Sequence, residues 1–393
     1  MGDVSVVRRV LQRADRQGAL RRWAVVLAGA VLIVAAPALA GRVAAAVSRP
    51  DAATPTPRDL LQRALRSAAV PHQGLVESRG SLGLPDVRRF GDVAALLGST
   101  TRARVWWSSP DSWRVAQLLA SGEKDLYGTG AGTLVSWDYE RNVRRTTIGA
   151  DTVDRVRLPR VDDLLPPQAA RRLLGALAPT DRVTAAASRR VAGIQAAGLH
   201  VVPESADSTI GALDVWVDPG SGLPLAVAVQ DRAGVTALET SFLDVDLHRP
   251  AAADLAPPMP QDARVEVGEA PDLVSLVDDY PRHAFPWALA GRRRAVAVLQ
   301  GTATYGTGLA RFVVLPLPVG TADDVLDAMR LRTKVEDVPG GQLAVIDSGI
   351  VTAGVAVSRY GQGSFLLAGL VTRDLLTTAG TDLLTSAGTV VRP

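Results

Sequence analysis

Four histidines, His72, His200, His248 and His283, are the side chains best suited to binding a metal or moving a proton at neutral pH, and they lie far apart. None has a partner at a ligand spacing such as H-x₃-H or H-E-x-x-H, so no metal site is encoded locally. Paired carboxylates stand at Asp162-Asp163, Asp278-Asp279 and Asp323-Asp324. Adjacent residues of a helix or strand do not face one another across a substrate, so these pairs do not read as an acid and a base. Ser208, Thr209 and Ser358 lack a G-x-S-x-G elbow to expose a nucleophile. The run Gly128-Thr129-Gly130-Ala131-Gly132 lacks the Lys-Ser/Thr of a phosphate loop and precedes a strand, which makes it a hairpin turn. Cysteine is absent, which excludes disulfides, thiol catalysis, thiolate metal sites and a lipidated cysteine. The expectation is a protein that is not an enzyme and carries no cofactor or metal.

What remains is the chemistry of apolar contact. Trp107, Trp113 and Trp137 fall on predicted strands, and side chains alternate between the two faces of a strand. Ala103, Val105 and Trp107 share one face while Arg102, Arg104 and Trp106 share the other; Leu213, Val215 and Val217 likewise oppose Asp214 and Trp216. Val105, Trp107, Trp113, Trp137, Val215 and Val217 are therefore the candidate lining of a hydrophobic cavity. Large aromatics are also ordinary core residues, so the same pattern is satisfied by packing alone. Arg292-Arg293-Arg294 is the candidate contact with a protein partner or anionic lipid, against the plainer reading of a solvated turn.

The elements that must position these residues follow from local signals. Thr56 caps a helix with Pro57 in its first turn, and Leu60, Leu61, Ala64, Leu65 and Ala68 form its apolar stripe. Val87 to Leu97 reads as a short amphipathic helix or lid. Extended runs at His72 to Leu84, Thr101 to Trp107, Trp113 to Leu119, Lys124 to Tyr127, Leu134 to Trp137 and Val143 to Ile148 form a meander. Pro166-Pro167 introduces a second helix to Leu177. Further strands follow at Arg182 to Ser188, Arg190 to Val202, Ala212 to Asp218, Leu223 to Gln230 and Val235 to Leu247. Asp218-Pro219-Gly220-Ser221-Gly222 is the clearest hairpin signal. So long an antiparallel sheet with one apolar face and few helices to cover it must curve strongly.

The proline-rich stretch Arg249 to Pro260 marks a boundary. Beyond it, strands at Arg294 to Thr304, Gly308 to Leu317, Leu343 to Ile346, Ile350 to Val357 and Ser364 to Leu370 alternate with helices. One helix is capped by Thr321, with Asp324 at the capping-box position, and another spans Asp374 to Leu384. This makes a small α+β unit.

At the other end, Trp23 to Ala40 is free of charge and, at roughly 1.5 Å per residue, approaches the ~30 Å of a bilayer core. Six arginines precede it, so the positive-inside rule keeps 1–22 in the cytoplasm and places the bulk of the chain outside. Ala38-Leu39-Ala40 also fits signal cleavage, but the long basic leader favours a retained single-pass anchor in the cell membrane. Among 43 basic residues only Lys124 and Lys334 are lysines, a bias typical of a GC-rich, actinobacterial genome. The basic residues are dispersed and the formal charge is +3, so no nucleic-acid footprint is present.

With this order of elements, and with Val215-Trp216-Val217-Asp218-Pro219-Gly220-Ser221-Gly222-Leu223-Pro224-Leu225 matching the pattern V-x-V-D-x-x-S/T-G-L-P, residues 57–267 resemble the LolA/LppX/RseB superfamily. The closing Pro260 to Val265 fits as well. Residues 280–393 resemble the small domain that RseB (MucB) adds, through Tyr305-Gly306-Thr307-Gly308-Leu309 against Y-S-D-G-L, with Thr307 in place of Asp. The resemblance implies an α+β protein: a curved antiparallel half-barrel wrapped on helices, holding lipid or lipoprotein acyl chains, then a small C-terminal domain. The expected layout is a basic leader at 1–22, an anchor at 23–40, a linker at 41–56, a half-barrel at 57–267 and the C-terminal domain at 280–393. The implied function is a membrane-anchored envelope protein that regulates a membrane partner such as an anti-sigma factor. A lipid or lipoprotein carrier, working with a transporter, is the alternative.

Overall fold

The computed structural model describes residues 55–82, 91–149, 159–259, 262–269, 285–295, 302–317, 322, 326–327, 329–359 and 363–386. The leader and anchor at 1–40, most of the linker, His283, Asp278-Asp279 and the capping residues Thr321 and Asp324 lie outside them. Among the described residues no helix is long and apolar enough to cross a membrane.

The first unit begins with helix α1 (Pro57–Arg66), where the Thr56 hydroxyl accepts the Asp59 N–H at 3.2 Å. Leu60 and Ala64 form its buried stripe. A 3₁₀ turn (Ser67–Ala69) leads to strand β1 (His72–Gly80), then helix α2 (Gly91–Gly98) and the meander β2 (Thr100–Ser109), β3 (Ser112–Leu118), β4 (Glu123–Gly128), β5 (Leu134–Asp138) and β6 (Val143–Ile148). Helix α3 (Pro166–Gly175) carries two prolines in its first turn, where no intrahelical donor is needed. A second meander follows: β7 (Arg182–Val191), β8 (Ile194–Val202), β9 (Ile210–Val217), β10 (Pro224–Asp231) and β11 (Thr236–Asp246). Strand β12 (Arg264–Glu269) completes a twelve-stranded sheet in the order β12-β6-β5-β4-β3-β2-β1-β11-β10-β9-β8-β7. The chain thus starts mid-sheet, builds outward to β6, crosses to the far edge at β7, and meanders back until β11 pairs with β1. All neighbours are antiparallel except β12, which runs parallel to β6.

Two strand readings need correction. The break expected near Ser188 is absent, because β7 and β8 continue to a two-residue turn, Ala192-Gly193, with both residues at positive φ. Strand β12 is not signalled by any hairpin, since its partner β6 lies more than a hundred residues earlier.

The C-terminal unit holds β13 (Ala288–Leu289), β14 (Arg292–Arg293), β15 (Ala303–Thr307), β16 (Ala310–Leu317), β17 (Val335–Val338), β18 (Gly341–Ser348), β19 (Val351–Ser358), β20 (Ser364–Gly369) and helix α4 (Arg373–Ser386). Six of these strands form a sheet ordered β15-β16-β20-β19-β18-β17, with α4 packed against β18 and β19. Tyr305 and Gly306 belong to β15 rather than to a turn: Tyr305 is fully buried and stacks on Phe312 at 5.3 Å.

The two units share a core. Leu309, Ile350, Val351 and Leu370 pack with the apolar residues of the large sheet. The backbone of Thr209 donates to Leu370 O at 3.1 Å, and that of Thr372 donates to Asp207 O at 2.8 Å.

Candidate functional site

Helices α1 and α3 cover one face of the large sheet, and that face collects five of the six candidate lining residues. The register sets His72 opposite Trp107, Trp107 opposite Trp113, and Trp113 opposite Gly128. Trp107 and Trp113 stack with centroids 5.6 Å apart, and His72 continues the row at 6.0 Å from Trp107, with Phe242 edge-on to it. Val105, Val215 and Val217 lie on the same face and in the same core. All five are buried, Trp107 being the most exposed at 6%. The indole N–H of Trp107 donates to Ala68 O at 2.9 Å and that of Trp113 to Pro110 O at 3.1 Å, so both polar edges are satisfied. All five belong to one buried apolar cluster.

Trp137 is not among them. It sits opposite Asp125, which sits opposite Ala116, so it belongs to the other face, in a small cluster with Tyr127 and Val135. Leu134 is the β5 residue level with Trp113 and Gly128.

The outer face carries a charged cluster. Asp125 is fully buried and receives Tyr127 Oη–H at 2.8 Å and the Arg114 guanidinium at 2.9 Å; Arg114 also reaches Glu123 at 3.2 Å and lies 4.4 Å from the Trp106 ring centroid. Burial pushes the Asp125 carboxyl up to about 6, against the opposing pull of Tyr127 and Arg114. His200 and His248 each pair with one aspartate, Asp214 at 2.6 Å and Asp246 at 2.5 Å. Among the described residues no group of three His, Asp or Glu is placed to hold a metal ion.

At the edge of the helix-covered core lies a polar group of which the sequence singles out only His72. His72 is 1% exposed, and its Nδ1 lies 2.9 Å from Val70 O. A carbonyl only accepts, so Nδ1 carries the proton and Nε2 holds a lone pair that meets no partner. Desolvation lowers the His72 pKa to about 4. Arg171 on α3 is half-buried and donates to Ser67 Oγ at 3.3 Å, while Gln168 Nε2 is buried without a partner. The signal for Arg171 was present: Pro167, Ala170, Arg171 and Leu174 follow the i, i+3, i+4, i+7 stripe of the helix, so an arginine stands on the apolar face.

The expected partner-contact arginines are largely used within the chain. Arg292 pairs with Asp207 across the two units, and Arg294 donates to Phe285 O at 2.7 Å. Arg293 is the exposed member of the three.

The class these features define is an open, curved antiparallel sheet closed on one face by short helices, with an α+β unit docked against it. In structure the chain is similar to a chain of the Pseudomonas aeruginosa MucA/MucB complex, with TM-score 0.46 and 16% identity over 82% of this chain and 96% of that one. It is also similar to a LolA superfamily protein from Nitrosomonas europaea, with TM-score 0.24 and 10% identity over 52% of this chain and 99% of the other. Both are of the kinds that residues 57–267 resemble in sequence, and the likeness is one of fold. No family model and no curated relative matches the chain.

Proposed function

We infer that the protein is a non-catalytic binding protein of the cell envelope that takes lipid or lipoprotein acyl chains beneath its cover helices and signals to a membrane partner such as an anti-sigma factor. The observation that supports this most is the thinness of the cover. The largest apolar cluster among the described residues is covered in part by α1 and α3, each of ten residues. Helices this short are marginal on their own and persist through packing. An acyl chain that replaces the contacts of α1 with β7 and β8 and of α3 with β10 and β11 exchanges one apolar contact for another, so opening the cover costs little net burial. The anchor at 23–40 favours a fixed regulator over a diffusing carrier, and exposed Arg293 is the arginine free to meet the partner.

Two measurements test the reading. A reporter fused after Pro393 is expected to be active outside the cytoplasmic membrane only; cytoplasmic activity refutes the envelope placement. Full-length protein extracted from membranes is expected to carry lipid detectable by native mass spectrometry, and to bind an acyl-chain fluorophore less well when a disulfide is engineered to clamp α1 onto β8. Absence of bound lipid together with unchanged probe binding in the clamped protein refutes acyl-chain binding.

A further inference from the structure

Three arginines on or beside α3 are treated differently. Arg172 pairs with Asp163 at 2.5 Å and Arg160 with Asp162 at 2.9 Å. Arg171, turned to the apolar side, has no carboxylate partner among the described residues; its hydrogen bond is to Ser67 Oγ at 3.3 Å. That hydroxyl already gives its proton to Ala64 O at 2.7 Å, so it offers the guanidinium a lone pair and nothing more. A guanidinium carries five N–H donors; those not given to Ser67 reach the surface, since Arg171 is half-buried and none of its nitrogens is both buried and unpartnered. Burial, aided by the like charge of Arg172, lowers the Arg171 pKa to about 10. A half-buried cation with no counter-charge from the chain favours an anion supplied from outside.

Two unpartnered polar atoms accompany it. Gln168 lies three residues back along α3, on the same side of the helix, and the charge of Arg171 is among the causes that lower the His72 pKa. The turn between them is pinned: Trp107 holds Ala68 O and His72 holds Val70 O. The turn that Arg171 contacts through Ser67 is therefore fixed by the aromatic row before any ligand arrives.

We propose that Arg171 and Gln168, with His72 beside them, form an oxyanion-binding site at the Ser67–Ala69 turn that takes a phosphate or carboxylate group. The planar guanidinium fork matches two oxygens of such a group, and the Gln168 amide supplies a third donor. The His72 lone pair accepts from a hydroxyl of a protonated phosphate or of a polyol head. A free anion and the head of an anionic lipid satisfy the same chemistry. The site does not depend on acyl chains entering the core.

The test is equilibrium unfolding of the full chain, in detergent, for the parent, Arg171→Met and Gln168→Leu. Probes are sodium phosphate against sodium chloride at equal ionic strength, and short-chain phosphatidylglycerol against phosphatidylcholine. At a probe concentration about tenfold above Kd, the folding equilibrium constant of the parent is expected to rise about tenfold. Arg171→Met should lose that response, and Gln168→Leu should weaken it. Without probe, Arg171→Met should be at least as stable as the parent, because a half-buried cation without a counter-charge is gone. A response to phosphate assigns a free anion, and a response to phosphatidylglycerol alone assigns a lipid head. The proposal is overturned if neither probe acts, if Arg171→Met responds as the parent does, or if Arg171→Met is markedly destabilised without probe.

Discussion

Two buried titratable groups on opposite faces of the large sheet give the stability profile its shape. His72, lowered to about 4, stays neutral in the folded protein while the unfolded chain takes up a proton below 6.5. Its contribution is full above 6.5 and is lost as pH falls toward 4, by about 3 kcal/mol. Asp125, raised to about 6, works the other way, because the folded protein holds that proton more tightly than the unfolded chain. Stability tied to Asp125 grows as pH falls from 6 toward 4. Denaturant midpoints between pH 4 and 6.5 should therefore diverge: His72→Phe should gain relative to the parent as pH falls, and Asp125→Asn should lose. Parallel profiles for all three proteins would show that neither group titrates as its burial requires. The tryptophans separate in the same manner. Trp107→Ala opens a void in a closed core and should cost about 3 to 5 kcal/mol. Trp106→Ala, on the other face, removes a half-buried ring and its contact with Arg114, with an expected cost of about 1 to 2 kcal/mol. Urea unfolding of the two variants decides between a packed core and a loose lining.

Strands and turns differ in how much of their placement is local, and that difference governs what the sequence reveals. The β9–β10 hairpin is written in its own residues: Asp218 accepts the backbone N–H of Gly220 and Ser221, and Gly222 adopts a φ of 78°. The capped start of α1 is equally local. Trp137 shows the opposite case. Its face depends on which β5 residue meets Gly128, and the five-residue turn Thr129 to Thr133 lets Leu134 take that place. Shifting a strand by one residue exchanges its faces, so alternation alone places Trp137 relative to Val135 but not relative to Trp113. Gly128 illustrates the same dependence on distant geometry. It reads as part of a turn, yet it ends β4 beneath the Trp113 ring, where an added Cβ meets Nε1 at 2.2 Å. Gly128→Ala is expected to destabilise by about 1 to 3 kcal/mol through overpacking. Gly268→Ala on β12, where an added Cβ meets no atom within 4 Å, should stay within about 0.5 kcal/mol of the parent. Equal effects in thermal unfolding would mean that the β3–β4 register is not as described.

At the scale of the whole molecule, the proline-rich stretch Arg249 to Pro260 marks a boundary in sequence without marking independence. A composition break shows where the second meander ends, yet β12 beyond it rejoins the same sheet, and the break says nothing of what the next unit packs against. Here the second unit returns to the first. Ile350, Val351 and Leu370 bury themselves with the residues of the large sheet, Ser208 bridges Val371, and Arg292 pairs with Asp207. Ile350 is 6% exposed, and its carbonyl accepts the Thr209 hydroxyl at 2.5 Å. A charge placed there meets apolar neighbours from both units and has no cation assigned to it. Ile350→Asp is therefore expected to cost several kcal/mol, about 3 to 5, the range for an uncompensated buried charge. Of the described tryptophans all but the exposed Trp287 lie in the first unit, so the change of tryptophan fluorescence on unfolding reports chiefly that unit while the substitution lies in the other. If the units fold as one, the midpoint followed by tryptophan fluorescence falls together with the midpoint followed by circular dichroism. If they are separable modules, the fluorescence midpoint stays at its parental value while the second unit melts first.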